Sequence, residues 1–503
     1  MRQTWVRELC GWLAAVLIAV VTVAQVATTA RADLLFRDSD SLVVALLVRS
    51  VSEGESFDWV MSSVLFLPEI VVFGLLWMLG RVFALDVNAV FVINAVVNLT
   101  ALYGAVRLAA GRRREGSAPV AWSLLAVSMF GVLAMTETSA SRDSLELASL
   151  LATTTYYSAT VIAVVLSIGI VRRVFDGTVR VRWRLPAVLG VIAAVSTLSN
   201  PLYAAWATVP LGLLLGVSAV YQRSRGHAIP LFVWIVGGTA AGFVARIPLS
   251  EWIANDGSAY AQPTLWPQSV RYYGELLAER LSAPLGALGA VLLTALLLLA
   301  IVQSVRAPTR GARVVAVAAW LLPVLVAVGA VALGTHAARY LEPVAFAPIL
   351  GLVASPRALR VPQRAVVAMT AGAGVLLVVG AGLSTPRVAA TAQHPNADLT
   401  CVSEWVNASG QVGAGQFWTV RLPKLHLDDP SQLIQVDHQL NAYAWLINRS
   451  DFEAGEVTFL IEDAQSTSWA LGTNAMPTDV IACGQYTIYD FSPVALPLGP
   501  ARS

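Results

Sequence analysis

The sequence predicts an α-helical polytopic membrane protein of about eleven spans, with an outer juxtamembrane helix and a small C-terminal α/β extracytoplasmic domain. Three observations predict it. Of 503 residues, 57% are hydrophobic and only 13% are charged, about half the charged fraction of an ordinary soluble domain. Mean hydropathy is +0.68, and apolar runs long enough to cross a bilayer recur through the first three-quarters of the chain. Beyond residue 385 the composition changes: Asp, Trp and polar residues appear together and no further span follows. The expected organisation is therefore a transmembrane part, 1–385, and a soluble part, 386–503.

The first apolar run, Gly11 to Ala27, follows Arg2 and Arg7. Small residues at Ala27-Thr28-Thr29-Ala30 also fit a cleaved signal peptide, but the run is long enough to span and more spans follow, which favours a retained anchor. Counting onward, candidate spans lie near 9–28, 60–80, 86–107, 119–136, 148–171, 186–200, 201–221, 229–246, 284–304, 314–333, 341–356 and 365–384. Arginine is retained on the cytoplasmic side during insertion. Clusters occur at Arg2/Arg7, Arg107/Arg112/Arg113/Arg114, Arg172/Arg173/Arg180/Arg182/Arg184, Arg223/Arg225, Arg306/Arg310/Arg313 and Arg357/Arg360/Arg364. All six fall inside if one early run does not cross. The best candidate is 60–80, which carries Pro68-Glu69, and it reads as a juxtamembrane or re-entrant helix on the outer face. The amino terminus is then cytoplasmic and the tail is outside.

Within the tail, Asp398 to Ser409 reads as a short helix, and Phe417–Leu425, Val457–Ile461 and Tyr486–Phe491 read as strands. Gly413-Ala-Gly415-Gln-Phe-Trp418 reads as a turn into a strand or part of an acceptor-binding face. Trp405, Trp418, Tyr443 and Trp445 read as core more than as a sugar platform. Cys401 and Cys483 share the tail, and in an oxidising compartment they are a candidate disulfide. A net charge of +2 with arginines confined to short loops excludes a nucleic-acid partner. Lys424 is the only lysine. With abundant Ala and Val, it points to a GC-rich bacterial genome, and the expected location is the cytoplasmic (inner) membrane.

Four groups of residues could carry chemistry. Asp38 and Asp40 follow the first span. On an extended segment they share one face, where they could hold one divalent metal, Mg or Mn, or deprotonate a hydroxyl. Asp-x-Asp is a very short pattern, and taken alone it fits solvated charges flanking a span better than a site. A second acidic group, Glu137, Asp143 and Glu146 with Arg142, falls on the same side. His336, Arg339 and Tyr340 with Glu342 occupy a tight outer turn, suited to a phosphate or to interfacial anchoring with an Arg339–Glu342 salt bridge. The 247–283 loop combines Glu251, Trp252, Asp256, Tyr260, Trp266, Arg271, Tyr272 and Tyr273, which suits sugar stacking, lipid headgroups or an interfacial aromatic belt. No P-loop and no Cys/His set with zinc spacing occurs.

In this order, the acidic pair after the first span, the juxtamembrane helix, the second acidic loop and the late His-x-x-Arg-Tyr turn resemble the GT-C superfamily of membrane glycosyltransferases. That superfamily includes protein mannosyltransferases, aminoarabinose transferases and oligosaccharyltransferase catalytic subunits. The resemblance covers residues 1 to 385. It implies inverting transfer of a sugar from a polyprenyl-phosphate donor to a lipid, glycan or protein acceptor of the cell envelope, on the outer face. It also implies that Asp38 or Asp40 is the acceptor-activating base or metal ligand and that Asp143 or Glu146, with Glu137, supports it. Arg339, with His336, Tyr340 and Arg271, would hold the donor phosphate. The first loop reads Arg-Asp-Ser-Asp where many relatives have Asp-Glu, which leaves the choice between the two acids open. A transporter or flippase of lipid-linked precursors, which would need charged or broken helices at mid-membrane depth, is the alternative. A non-catalytic membrane scaffold is the third reading.

Overall fold

The computed structural model describes residues 2–177, 183–221, 225–255, 257, 260–358, 362–393, 396–472 and 475–502. Asp256 and, from the basic clusters, Arg180, Arg182, Arg223 and Arg360 lie outside the described residues. The chain is mostly helical and forms two compact units. One comprises Met1–Leu34, Phe91–Ile247 and Ser258–Thr391; the other comprises Leu35–Val90, Pro248–Gly257 and Ala392–Ser503. The second unit therefore joins the tail to the first loop and to a piece of a later one.

Among the described residues, seven helices are long and apolar enough to cross a membrane: Trp5–Ala27, Val87–Ala109, Ser158–Phe175, Arg225–Trp252, Pro284–Arg306, Arg310–Ala332 and Arg364–Ala392. Three shorter apolar helices, Pro119–Met135, Arg184–Ser199 and Ala204–Val220, accompany them. One expected span is not a continuous helix. The apolar stretch 341–356 is broken into Ala338–Leu341, Pro343–Phe346 and Leu350–Ala354. Pro343 and Pro348 each remove a backbone donor from what would be one helix. This stretch is buried on all sides, with Phe346, Ala347, Ile349, Leu350 and Val353 each at most 1% exposed. The early part of the expected 148–171 span is irregular too: residues 153–157 carry no regular structure before the helix Ser158–Phe175 begins. The Asn98 side chain donates to the carbonyls of Leu151 and Thr153 at 3.1 and 3.2 Å. It thereby satisfies backbone groups that a helix would have paired internally.

The first unit gathers its basic loops. The Asp176 carboxylate lies 3.5 Å from Arg114 and 3.6 Å from Arg172, and it accepts from the Thr309 hydroxyl at 2.9 Å. Arg172 also donates to the Val353 carbonyl at 2.8 Å, and the Ala118 amide donates to Pro356 at 2.9 Å. Segments around Arg114, Arg172 and Thr309 thus meet at one carboxylate, and the 353–356 segment joins them through Arg172 and Ala118.

Among the described residues of the second unit, eleven short strands occur: β1 (Trp59–Val60), β2 (Gly413–Gln416), β3 (Leu433–Val436), β4 (Asn441–Tyr443), β5 (Ile447–Asn448), β6 (Glu456–Val457), β7 (Phe459–Glu462), β8 (Asp479–Cys483), β9 (Tyr486–Asp490), β10 (Leu496–Pro497) and β11 (Gly499–Arg502). Seven of them make one sheet in the order β11-β4-β3-β2-β7-β9-β8, with β2 parallel to both β3 and β7. The centre of β2 is small because its neighbours press on it. A Cβ added at Gly413 would lie within 2.3 Å of the Phe459 ring. The helix Ala397–Ser409 starts on an Asn396 cap and stops at Gly410, whose φ of +64° closes it.

Phe417–Leu425 is not a strand. Phe417–His426 is a helix, the crossover between parallel β2 and β3, and eight of its residues are buried, so no polar face marks its period. Accordingly Gly413-Ala-Gly415-Gln is itself the strand and Phe417-Trp418 opens the helix. The first loop joins this unit through β1, which pairs antiparallel with β5, Trp59 opposite Asn448. The residues read as a juxtamembrane helix form Leu67–Val82. It packs Phe73 inward and exposes Val71, Leu75, Met78, Leu79 and Val82.

Candidate functional site

Asp38 and Asp40 belong to the tail-bearing unit, and their segment is a turn where an extended strand was expected. The Asp38 carbonyl accepts from the amides of Ser41 and Leu42 at 2.8 and 3.2 Å, and its carboxylate accepts from the Ser41 amide at 3.2 Å. Asp is suited to this because its short side chain can satisfy the backbone of its own turn. The turn leads into the helix Val43–Glu53, which ends at Gly54 in the left-handed region, φ +80°. Asp38 is therefore partly committed to holding the turn. The Asp40 carboxylate is half-buried and engages no hydrogen bond or ion pair among the described residues.

Beneath the turn lies Arg421, which the sequence reading missed. Its guanidinium is 1% exposed. Nε donates to the Ser39 carbonyl at 3.0 Å, and Nη1 donates to Leu446 O at 2.6 Å and to Gln435 Oε1 at 3.2 Å. Nη2 has no hydrogen-bond partner, and the group sits over the Phe417 ring, 4.9 Å from its centroid. The Ser39 hydroxyl donates back to the Trp418 carbonyl at 3.1 Å. Burial pushes the Arg421 pKa down to about 10, while the fields of Asp40, then Asp38 and Asp451, hold it up. It remains a cation at neutral pH. The only lysine, Lys424, is one turn further along, buried against Asp451 at 2.9 Å and donating to the Pro430 and Leu433 carbonyls.

The second acidic group belongs to the other unit, where the structure separates its members. Glu137 is 1% exposed and accepts from the amides of Ala148 and Ser149 at 2.9 and 2.7 Å, with Arg280 at 3.7 Å. Glu146 is buried as well, accepting from the Ser139 amide at 2.7 Å, with Arg31 at 4.0 Å. Arg31 holds the loop together, donating to Ser149 Oγ at 2.8 Å and to the carbonyls of Ser139, Ser141 and Glu146 at 3.1, 3.0 and 2.8 Å. Arg280 also donates to the Leu145 carbonyl. Glu137 and Glu146 are thus internal staples, and neither presents a carboxylate to a substrate. Asp143 does stay at the surface, half-buried, accepting from the Tyr272 hydroxyl at 3.4 Å.

Around Tyr272 several expected residues converge. Its ring meets that of His336 edge-on at 5.4 Å and that of Tyr273 at 5.1 Å. Burial, then the Asp143 charge, raises the Tyr272 hydroxyl to about 12, so it stays a donor. The Tyr273 hydroxyl pairs with Thr335 Oγ1 at 2.7 Å. Arg339 lies over the Tyr156 ring at 5.9 Å, and the Tyr340 carbonyl accepts from Trp206 Nε1 at 3.2 Å. Arg271 is exposed on the helix Trp266–Ser282 and makes no hydrogen bond or ion pair among the described residues. Asp143, Tyr272, Tyr273 and His336 thus meet at one place on the surface.

Among the described residues, no group of three or more His, Cys, Asp or Glu side chains could hold a metal ion. Asp38, partly occupied by its own turn, and Asp40 make at most a two-carboxylate set, and no step is assigned to a metal. In the tail, Cys401 and Cys483 form a disulfide, Cα–Cα 5.5 Å. Trp405 stacks edge-on against Phe459 at 5.0 Å within the core of the sheet. No protein-family model matches the chain, and no curated protein matches it at a significant level.

Proposed function

We propose that the protein is an inverting membrane glycosyltransferase that moves a sugar from a polyprenyl-phosphate donor to a cell-envelope acceptor on the outer face of the cytoplasmic membrane. The observation that carries this reading is the Asp40 carboxylate, half-buried, free of hydrogen bonds and held in a turn braced from below by a buried cation. Such a group is suited to take a proton from an acceptor hydroxyl. The acceptor oxygen attacks the anomeric carbon, the carbon–oxygen bond to phosphate breaks with its electron pair, and Asp40 receives the hydroxyl proton. The polyprenyl phosphate leaves as an anion, so it needs a cation more than an acid. The resemblance to GT-C enzymes assigns that charge and its donors to Arg339, with His336, Tyr340 and Arg271. Asp143 is the carboxylate of the second loop that remains presentable, and it keeps the Tyr272 hydroxyl oriented. The gathering of the basic loops around Asp176 supports a cytoplasmic side for that region of their unit.

Purified protein offered labelled polyprenyl-phosphate sugars with membrane lipid and glycan acceptors should transfer or hydrolyse the donor. Asp40→Asn should lower kcat by about 100-fold or more, with Asp38→Asn losing less. Arg339→Lys should chiefly affect turnover of the phosphate donor. No turnover with any donor, together with full function of both Asp variants in cells, would sink the reading. The broken stretch Ala338–Ala354 and the irregular residues 153–157 favour the second reading, a flippase of lipid-linked precursors, since transporters build sites from discontinuous helices. Donor translocation in vesicles without sugar transfer would select it.

A further inference from the structure

The tail meets the turn that carries the first-loop acids at the helix Phe417–His426. We infer that Arg421 is the positioning residue of the Asp38–Asp40 turn, so that the tail fixes where the first-loop carboxylates point. The inference rests on the glycosyl-transfer reading for its effect on turnover, and on geometry alone for its effect on the turn.

The geometry is specific. Ser39, between the two acids, has no freedom in either direction: its carbonyl accepts from Arg421 Nε at 3.0 Å, and its hydroxyl donates to Trp418 O at 3.1 Å. Both partners come from the helix Phe417–His426, so the two bonds work as a clasp between turn and helix. Arg421 is itself held by Leu446 O, by Gln435 Oε1 and by the Phe417 ring face. Gln435 is anchored in turn, donating to Tyr443 O and Trp445 O at 2.9 and 2.8 Å. Such a chain of fixed groups transmits position because each link has few alternatives. A lysine here could hold the charge but not the fork that binds Ser39, Leu446 and Gln435 together. The cation also faces the two acids, with Asp451 and its partner Lys424 behind it. Removing it would take the Arg421 donor from the Ser39 carbonyl.

The test compares wild type, Arg421→Lys and Ser39→Ala in full-length protein by amide hydrogen exchange and by sugar-transfer kinetics. The amides of Ser41, Leu42 and Val43 bond within the turn and report its order directly. Both variants should lose protection at 41–43 while the amides of Leu460 and Ile488 in the sheet stay protected. Both should lose about 10–100-fold in kcat, the cost of misplacing a reacting group by about an ångström, with KM nearly unchanged. Folded variants with wild-type protection at 41–43 and wild-type kcat would overturn the inference. If Arg421→Lys does not fold, Gln435→Ala decides: it removes an acceptor that holds the Arg421 side chain and no buried charge, so lost protection at 41–43 supports the inference and wild-type protection overturns it. If wild type transfers no sugar at all, the enzyme reading falls, and the exchange data still decide whether Arg421 orders the turn.

Discussion

At the scale of single residues, the sequence brought out the right kinds of side chain in the second loop but could not rank them. Glu137, Asp143 and Glu146 look alike in sequence. They differ in the structure because Arg31 and Arg280 arrive from far along the chain and bury two of the three. Nothing local to residues 137–146 announces those arginines; an arginine one turn beyond the first span reads as a flanking charge. The same blindness hid Arg421, whose partners Ser39 and Leu446 lie 382 and 25 residues away. Asp38 was legible as an acid near the surface but not as the brace of a turn, since an Asp-x-Asp pattern fits either geometry. The division of roles can be measured. Glu137→Ala leaves buried Arg280 without its carboxylate and the Ala148 and Ser149 amides without their acceptor, and breaking a buried pair on one side costs about 3–5 kcal/mol. Asp143→Ala removes only a half-exposed contact, worth about 1 kcal/mol or less. Unfolding in detergent should therefore show a large loss for the first and little for the second; equal losses would remove the distinction between staple and surface acid.

At the scale of elements, what could be read depended on whether an element shows two different faces. The helix Ala397–Ser409 and the strands β7 and β9 were legible because caps, alternation and turn residues flank them. Phe417–His426 was not: eight of its ten residues are buried, Arg421 and Lys424 among them, so no polar face marks a helical period. Its true nature follows from topology: parallel β2 and β3 need a crossover, and this segment is the only chain between them apart from a short turn. The disulfide belongs to this scale as well. It joins the helix Ala397–Ser409 to the edge strand β8 across a sequence separation of 82. Closing so long a loop restricts the unfolded tail, and the chain-entropy estimate is about 4–5 kcal/mol. Replacing both cysteines with serine should lower the unfolding temperature of the tail in the full-length protein, read from its tryptophan fluorescence. Reductant should do the same to wild type and nothing further to the double variant. An unchanged transition would mean that sheet packing alone holds the tail.

At the scale of the whole molecule, hydropathy announced the membrane character, and prolines explain where it misled. Pro343 and Pro348 sit inside an apolar stretch that counts as a span by composition but is broken and buried in the fold. Counting runs therefore gives a different total from counting straight helices, and the side on which the tail lies depends on the parity of that total. The arginines offer an independent handle. Loops carrying Arg114, Arg172, Thr309 and Pro356 converge in one region of their unit, so a single accessibility measurement there fixes the orientation of all of them. In a Cys10→Ser background, Glu115→Cys would place a probe beside that region and Met476→Cys would place one on the tail, where Met476 is 81% exposed. Retention of basic loops in the cytoplasm predicts that an impermeant maleimide labels the tail probe on intact cells and the Glu115 probe only after permeabilisation. Labelling of both from outside would contradict the charge rule in this chain. Labelling of neither would place Asp40 and the tail on the cytoplasmic side, where a donor displayed on the outer leaflet could not reach them, and glycosyl transfer on the outer face would have to be abandoned.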